Sequence, residues 1–168
     1  MAFRDAMARF PSGVTIVTTH DESGMPQGFT ASSFCSVSAE PPLVLVCLAK
    51  SANCYPVFAH NDRFAISFLQ ADHVNLARRF ASKSADKFAC GGFVRTPRGA
   101  TVLEEALAVV ECSVYSRHEA GDHMIMVGEV EQVLLADRRS PAVYFDRAFS
   151  TICSSSCEQA DSRRAVPR

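Results

Sequence analysis

Pro41-Pro42-Leu43-Val44-Leu45-Val46-Cys47-Leu48 sets a double proline in front of six consecutive apolar residues. A run of that length is strand-sized and too short for a typical helix, and it carries no polar face. It predicts a β-strand buried on both sides and lying centrally in a sheet. Upstream, Gly13-Val14-Thr15-Ile16-Val17-Thr18-Thr19 is rich in β-branched residues, which fit a pleated surface. Asp21-Glu22-Ser23-Gly24 interrupts it before a second extended run from Gly28 to Phe34, so the pair predicts a β-hairpin. Phe3, Met7 and Phe10 recur at helical spacing, giving a short amphipathic helix over residues 2–10 that Pro11 stops.

Downstream of the apolar run, Ser51 is placed to cap a short helix reaching His60. Arg63 to Leu69 returns to strand character, and Val74, Ala77 and Phe80 share one helical face within residues 72–81. The segment from Ser82 to Thr101, with Gly91-Gly92, Pro97 and Gly99, predicts an irregular loop. Two long β segments follow, Ala106 to Tyr115 and Met124 to Leu135, with a polar loop from Ser116 to His123 between them. Tyr144, Phe145 and Phe149 are placed to pack a last strand or to contribute to a subunit interface. Many strands with a few short helices predict a mainly β, antiparallel barrel with peripheral helices. Residues 1–150 form one domain in this reading. Residues 151–168, polar and serine-rich, form a C-terminal tail.

With 168 residues, one domain is the natural count, and 48% hydrophobic residues suffice for a core without disulfide staples. Seventeen basic against eighteen acidic side chains leave a net charge of −1, which argues against a general nucleic-acid-binding role. The longest apolar stretch, Leu43 to Ala49, is far short of the roughly 20 residues that span a bilayer. The N-terminus shows no charged leader followed by an apolar segment, so the expected location is the cytoplasm. The seven cysteines are odd in number, lack a CxxC pair and sit mostly in apolar runs, which fits reduced, packing thiols.

Several catalytic signatures are absent: GxGxxG, GxxxxGK[ST] and GxSxG do not occur. His118-Glu119-Ala120-Gly121-Asp122-His123 is one residue too long for a zincin motif, and Cys153-Ser-Ser-Ser-Cys157 has no further ligand nearby, so no metal site is expected. Glu104-Glu105 and Arg138-Arg139 read as solvated surface charges. The densest polar cluster is Thr30-Ala31-Ser32-Ser33-Phe34, extended by Ser36 and Ser38. Small hydroxyl residues let a ligand approach the backbone and offer N–H and O–H donors to ring carbonyls or a phosphate. Alternating Ser and Thr on a half-exposed strand is also what a merely solvated strand looks like.

Phe3-Arg4-Asp5-Ala6-Met7, Phe10-Pro11-Ser12-Gly13-Val14-Thr15-Ile16-Val17-Thr18-Thr19, Thr30-Ala31-Ser32-Ser33-Phe34-Cys35-Ser36-Val37-Ser38, Pro41-Pro42-Leu43-Val44-Leu45-Val46 and Gly121-Asp122-His123 occur in this order. In these segments the chain resembles the short-chain flavin reductases, the NAD(P)H-dependent reductase components of two-component flavin monooxygenases, over about Phe3 to Phe149. The resemblance implies an FMN-binding split β-barrel, antiparallel and Greek-key, working as a homodimer with the flavin near the subunit interface. It implies that Thr30, Ala31, Ser32 and Ser33 line the isoalloxazine and ribityl chain, and that Ser51 reaches the ribityl or phosphate end. Arg79, Phe80 and Lys87 match the family's basic and aromatic positions near the phosphate. Many relatives have Arg where Lys87 stands, and Lys supplies the charge without a bidentate fork. His123, the residue tied to the catalytic step, would lie by the nicotinamide or flavin edge as a positioning group.

The implied reaction is hydride transfer from NADH or NADPH to FMN or FAD, with reduced flavin passed to a partner monooxygenase. The two cofactors carry that chemistry, and the protein stacks their rings and supplies donors where charge gathers. The alternative keeps the fold and makes the chain a tight flavin-binding or redox-sensing protein with cysteine sensors. A third reading is an enzyme that uses bound flavin on a small organic substrate.

Overall fold

The computed structural model of the chain describes residues 2–83, 86–89, 91–137, 140–150 and 152. The elements run α1 (Ala2–Ala8), β1 (Ser12–Gly13), β2 (Thr15–His20), β3 (Pro26–Ala31), β4 (Cys35–Ala39), β5 (Pro42–Ala49), α2 (Tyr55–His60) and β6 (Arg63–Phe68). A 3-10 turn, Ala71–His73, leads into α3 (Val74–Ala81). Then come β7 (Phe93–Arg95), β8 (Thr101–Leu103), β9 (Ala108–Ala120), β10 (His123–Leu135), β11 (Val143–Phe145) and β12 (Ala148–Ser150).

Seven strands form the main sheet in the order β3-β2-β6-β9-β10-β5-β4, and each neighbouring pair is antiparallel. The two edge strands, β3 and β4, are consecutive in the chain, so the short link over residues 32–34 draws the edges together. Where they meet, Ser33 bridges to β5: its Oγ accepts the Cys47 N–H at 2.9 Å and donates to the Cys47 carbonyl at 3.4 Å. A side chain thus continues the hydrogen-bond ladder where the backbone turns away. The expected antiparallel barrel with short peripheral helices is what forms.

Two cores result. Inside the barrel pack Val17, Phe29, Val44, Val46, Leu48, Phe58, Phe64, Ile66, Met124 and Met126. On the other face of β2 and β6, Ile16, Ala65, Val109, Leu69, Ala77, Phe80, Val102 and Leu103 form a second cluster. The long strands buried on both sides are therefore β2, β6 and the first half of β9 (Val109–Cys112), with α3 and the β7–β8 hairpin covering the outer surface of β2 and β6. This corrects the expectation for Leu43–Leu48. In β5 burial alternates, with Val44, Val46 and Leu48 inside and Leu43, Leu45 and Cys47 half-exposed, and only β4 lies beyond it. The hydroxyls of β2 are accommodated by bonds to carbonyls: Thr15 to Ala31 at 3.0 Å, Thr18 to Thr101 at 2.5 Å and Thr19 to Arg63 at 2.7 Å.

Other boundaries also move. Ser51 does not cap α2, which starts after Cys54 with Pro56 in its first turn. The polar stretch 116–123 is no loop: β9 and β10 continue through it to a tight turn at Gly121-Asp122. The segment 82–101 contains strand β7, which pairs with β8. Helix α1 forms as predicted but buries nothing, and Phe3, Met7 and Phe10 stay exposed. The rings of Tyr144 and Phe149 pack against each other across β11 and β12, with centroids 5.3 Å apart. Cys35, Cys47, Cys54 and Cys112 are free thiols, and burial pushes the Cys112 thiol up to about 12. Cys90, Arg138, Arg139, Cys153, Cys157 and, apart from Ile152, the C-terminal tail lie outside the described residues.

Candidate flavin site

Strand register decides which predicted residues meet. His123 opens β10 and lies between Ala49 of β5 and Ala120 of β9, and Cys47 faces Ile125. The neighbours Val46, Leu48, Met124 and Met126 point into the barrel. Alternation then sends Cys47, Ala49, His123 and Ile125 to the outer face. Ser33, bonded to Cys47, adjoins that face at one side, and His123 stands at the other. Between them lies small Ala49, a half-covered surface of the kind a flat ring can approach.

The donors at this place are mostly backbone. The Ser33 hydroxyl is occupied by Cys47, and Thr30 Oγ1 donates to the Ala77 carbonyl at 2.6 Å, fixing β3 to α3. Among the described residues, the N–H groups of Ser32 and Ser33 have no hydrogen-bond partner. Ser32 is exposed and Ala31 is buried behind it. Phe80, at 1% exposure, packs its ring against Phe88 and Phe93, so it backs the wall and presents no face to a ligand, contrary to the expectation of an aromatic contact. A Cβ at Gly28 would stand 2.9 Å from both the Phe80 ring and the Val17 carbonyl, so only glycine lets β3 lie this close to α3.

Lys87 Nζ donates to the carbonyls of Gly28 at 3.1 Å and Phe80 at 2.9 Å. Burial holds its ammonium below the ordinary lysine range, while Cys54 beside it acts the other way. Two of its three donors are therefore spent on the fold. Arg79 lies about 200° round the helix from Ala77, at 100° per residue. It lines a different cleft with Asp72, His73, Leu76 and Gly92, so the structure does not bring it to the serines.

Ser51 sits exposed in the turn between β5 and α2. The Lys50 N–H donates to the Asp122 carbonyl at 2.9 Å, setting this turn against the tip of the β9–β10 hairpin. His123 Nδ1 is 2.7 Å from Asp122 Oδ1, which leaves Nε2 facing outward; the same bond holds the Asp122 carboxyl below its usual range. The same face also carries Cys47 and Ala49, which sequence reading did not single out and which the alternation of β5 places there. Asn53, in the turn with Ser51, donates from Nδ2 to the Lys83 carbonyl at 3.5 Å. A cavity of about 250 Å³ elsewhere, lined by His20, Arg63, Arg98, Glu111 and Glu131, contains none of the expected site residues, and its charges pair with one another.

Small side chains on a half-covered face, two free backbone donors and a histidine at the edge fit a flavin beside a nicotinamide. The comparisons agree. Residues 7–152 match the model of the flavin reductase like domain. The chain is 60% identical over 162 residues to actinorhodin polyketide dimerase of Streptomyces coelicolor, covering 95% of this chain and 92% of that one. It is 33% identical to HsaB, the reductase subunit of a flavin-dependent monooxygenase of Rhodococcus jostii, over 89% of this chain and 76% of that one. The solved structure of the NADH:FAD oxidoreductase SgcE6 of Streptomyces globisporus, with NAD and FAD fragments, superposes with a TM-score of 0.86 at 35% identity, covering 92% and 93% of the two chains. The chain thus belongs to the flavin reductase like family.

Proposed function

We propose that this chain is the reductase of a two-component system, taking hydride from NADH or NADPH and releasing reduced FMN or FAD to a separate monooxygenase in the cytoplasm. The observation that carries the reading is the outer face from Ser33 through Ala49 to His123, open to a flat ligand and edged by free backbone donors. When bound, the flavin supplies the hydride-accepting ring system. The N–H groups of Ser32 and Ser33 donate to it, and Ser51 and the remaining Lys87 donor serve its polar chain. Thr30, Ala31 and Phe80 hold the wall behind. His123, oriented by Asp122, positions the nicotinamide. The catalytic domain is taken as residues 1–150, with 151–168 appended. Purified protein is expected to oxidise NADH or NADPH only when free flavin is added, and His123→Ala to raise the nicotinamide KM about tenfold. No flavin-dependent oxidation with either nucleotide overturns the reading.

Leu43, Leu45, Ile125 and Val127 leave an apolar stripe half-exposed on the same face as the site. A second copy of the chain, covering that stripe and α1, accounts for why β5 is apolar on both sides. Light scattering is expected to give a dimer, and a monomer at micromolar concentration counts against it.

A second reading follows from the 60% identity to a polyketide dimerase: the same site acts on a polyketide. Mass spectrometry of a polyketide incubated with protein and flavin tests it, a dimeric product supporting it and unchanged substrate opposing it. For the sensor alternative, burial raises the Cys54 and Cys112 thiols and makes them poor nucleophiles, which leaves the exposed Cys35 and the half-exposed Cys47 as its thiols among the described residues.

A further inference from the structure

We propose that Glu119 is a positioning residue of this site, its carboxylate tying the turn that carries Ser51 and Asn53 to the hairpin tip that carries His123. The inference deepens the flavin reductase reading and rests on it. Glu119 lies on β9 opposite Met124, one step from the Ala120–His123 pair, and so reaches over the end of the barrel. There it forms an ion pair with Lys50 and accepts a hydrogen bond from the Tyr55 hydroxyl at 3.3 Å. Lys50 immediately follows β5 and Tyr55 opens α2, so one carboxylate grips both ends of the intervening turn.

Within that turn the Ala52 N–H bonds the Ala49 carbonyl and the Tyr55 N–H bonds the Ala52 carbonyl, each at 3.0 Å, so movement at either end is passed to Ser51 and Asn53. On the hairpin side, the Asp122 carbonyl receives the Lys50 N–H while the Asp122 carboxylate orients His123. Flavin contacts and the nicotinamide-positioning histidine thus come from segments far apart in sequence and joined here by Glu119. The mutual hydrogen bond raises the Lys50 ammonium and lowers the Glu119 carboxyl, which keeps both charged across the neutral range.

The pair is solvated, with side-chain exposures of 39% for Lys50 and 61% for Glu119, and pairs of this kind add little to global stability. Its effect is on placement, where small displacements of positioning groups cost rate heavily. A variant should therefore lose function without losing its fold.

The test compares wild type with Glu119→Ala, Glu119→Gln and the charge swap Lys50→Glu/Glu119→Lys, by steady-state NADH oxidation, by flavin fluorescence titration and by thermal melting. Glu119→Ala is expected to raise the flavin Kd and the KM values for flavin and NADH about tenfold. Its Tm is expected to stay within about 2 °C. Glu119→Gln, keeping an acceptor for Tyr55, falls between. The swap, restoring the ion pair but not the Tyr55 bond, returns the constants to within about threefold of wild type. Unchanged constants in Glu119→Ala, a loss that tracks a falling Tm, or a swap no better than the single variants overturns the proposal. Failure of the reductase reading looks different: wild type itself then shows no flavin-dependent oxidation, and the flavin titration still reports whether Glu119 orders the binding turn.

Discussion

Gly128→Val is expected to lower the melting temperature by roughly 6–12 °C, a loss of about 3 kcal/mol in a domain of this size. Gly128 lies on β10 between Val44 and Val114, at a bulge in the β9–β10 ladder. A Cβ there would stand 2.9 Å from Phe64 Cε1 and from Cys112 Cβ, and closer still to Phe64 Cζ. Phe64 and Cys112 are 3% and 2% exposed, so neither can swing into solvent. The Phe64 ring fills the volume that a side chain on β10 would take. Replacing glycine also reduces the freedom of the unfolded chain, but that gain is only about 0.4–1 kcal/mol. Overpacking of a tight core costs about 1–3 kcal/mol for extra methylenes, so the clash wins. Gly128→Ala should show a smaller loss of the same sign. Phe64→Leu in the Gly128→Val background should recover part of it, since the two residues share one space. A melting temperature within about 2 °C of wild type would show that the core yields where the packing says it cannot.

The strands were legible where neighbours in sequence settle the matter. The β-branched run of β2, the acidic turn after it and the strand character of β6 state their structure locally. Ser116–His123 misled because it is polar on both faces. At the far end of a long hairpin both faces meet water, so strand residues there lose the alternation that marks a half-buried strand. Backbone pairing such as Met124 with Glu119 holds them extended all the same. The β5 error has the opposite origin. Its run is apolar on both sides, as a doubly buried strand would be, yet in the single chain one side is only half covered.

The site divides in the same way. Ser33 and His123, which the structure brings to one face, stood out because their segments are distinctive. Lys87 reads as a phosphate cation, but position alone does not disclose that the Gly28 and Phe80 carbonyls claim its donors. Arg79 and Phe80 are adjacent in sequence and leave α3 in different directions, one into a separate cleft and one into the core. Glu119 could not be found from sequence at all. Its partner Tyr55 is 64 residues away, and only the curl of the sheet brings them together.

Ala49→Phe is expected to raise the flavin KM about 100-fold, equivalent to about 2.7 kcal/mol of binding, while the fold persists. Ala49 is half-exposed on the outer face of β5, beside His123 and two residues beyond Cys47, to which Ser33 is bonded. The inner neighbours Val46 and Leu48 are the ones that build the core, so a larger side chain at 49 displaces none of its packing. If the flavin ring lies on this face, a benzyl group at Ala49 occupies the space between the Ser32–Ser33 donors and His123, and the ring cannot satisfy both. Ala49→Gly leaves the face open and should change KM by no more than about threefold, apart from a modest strand penalty. Light scattering on each variant separates a blocked ring site from a disrupted dimer, because a variant that remains dimeric and melts normally but binds flavin weakly has lost only the face. Should Ala49→Phe bind flavin within about threefold of wild type, the ring must lie elsewhere, and the small residues along this strand would be there for the approach of the second subunit alone.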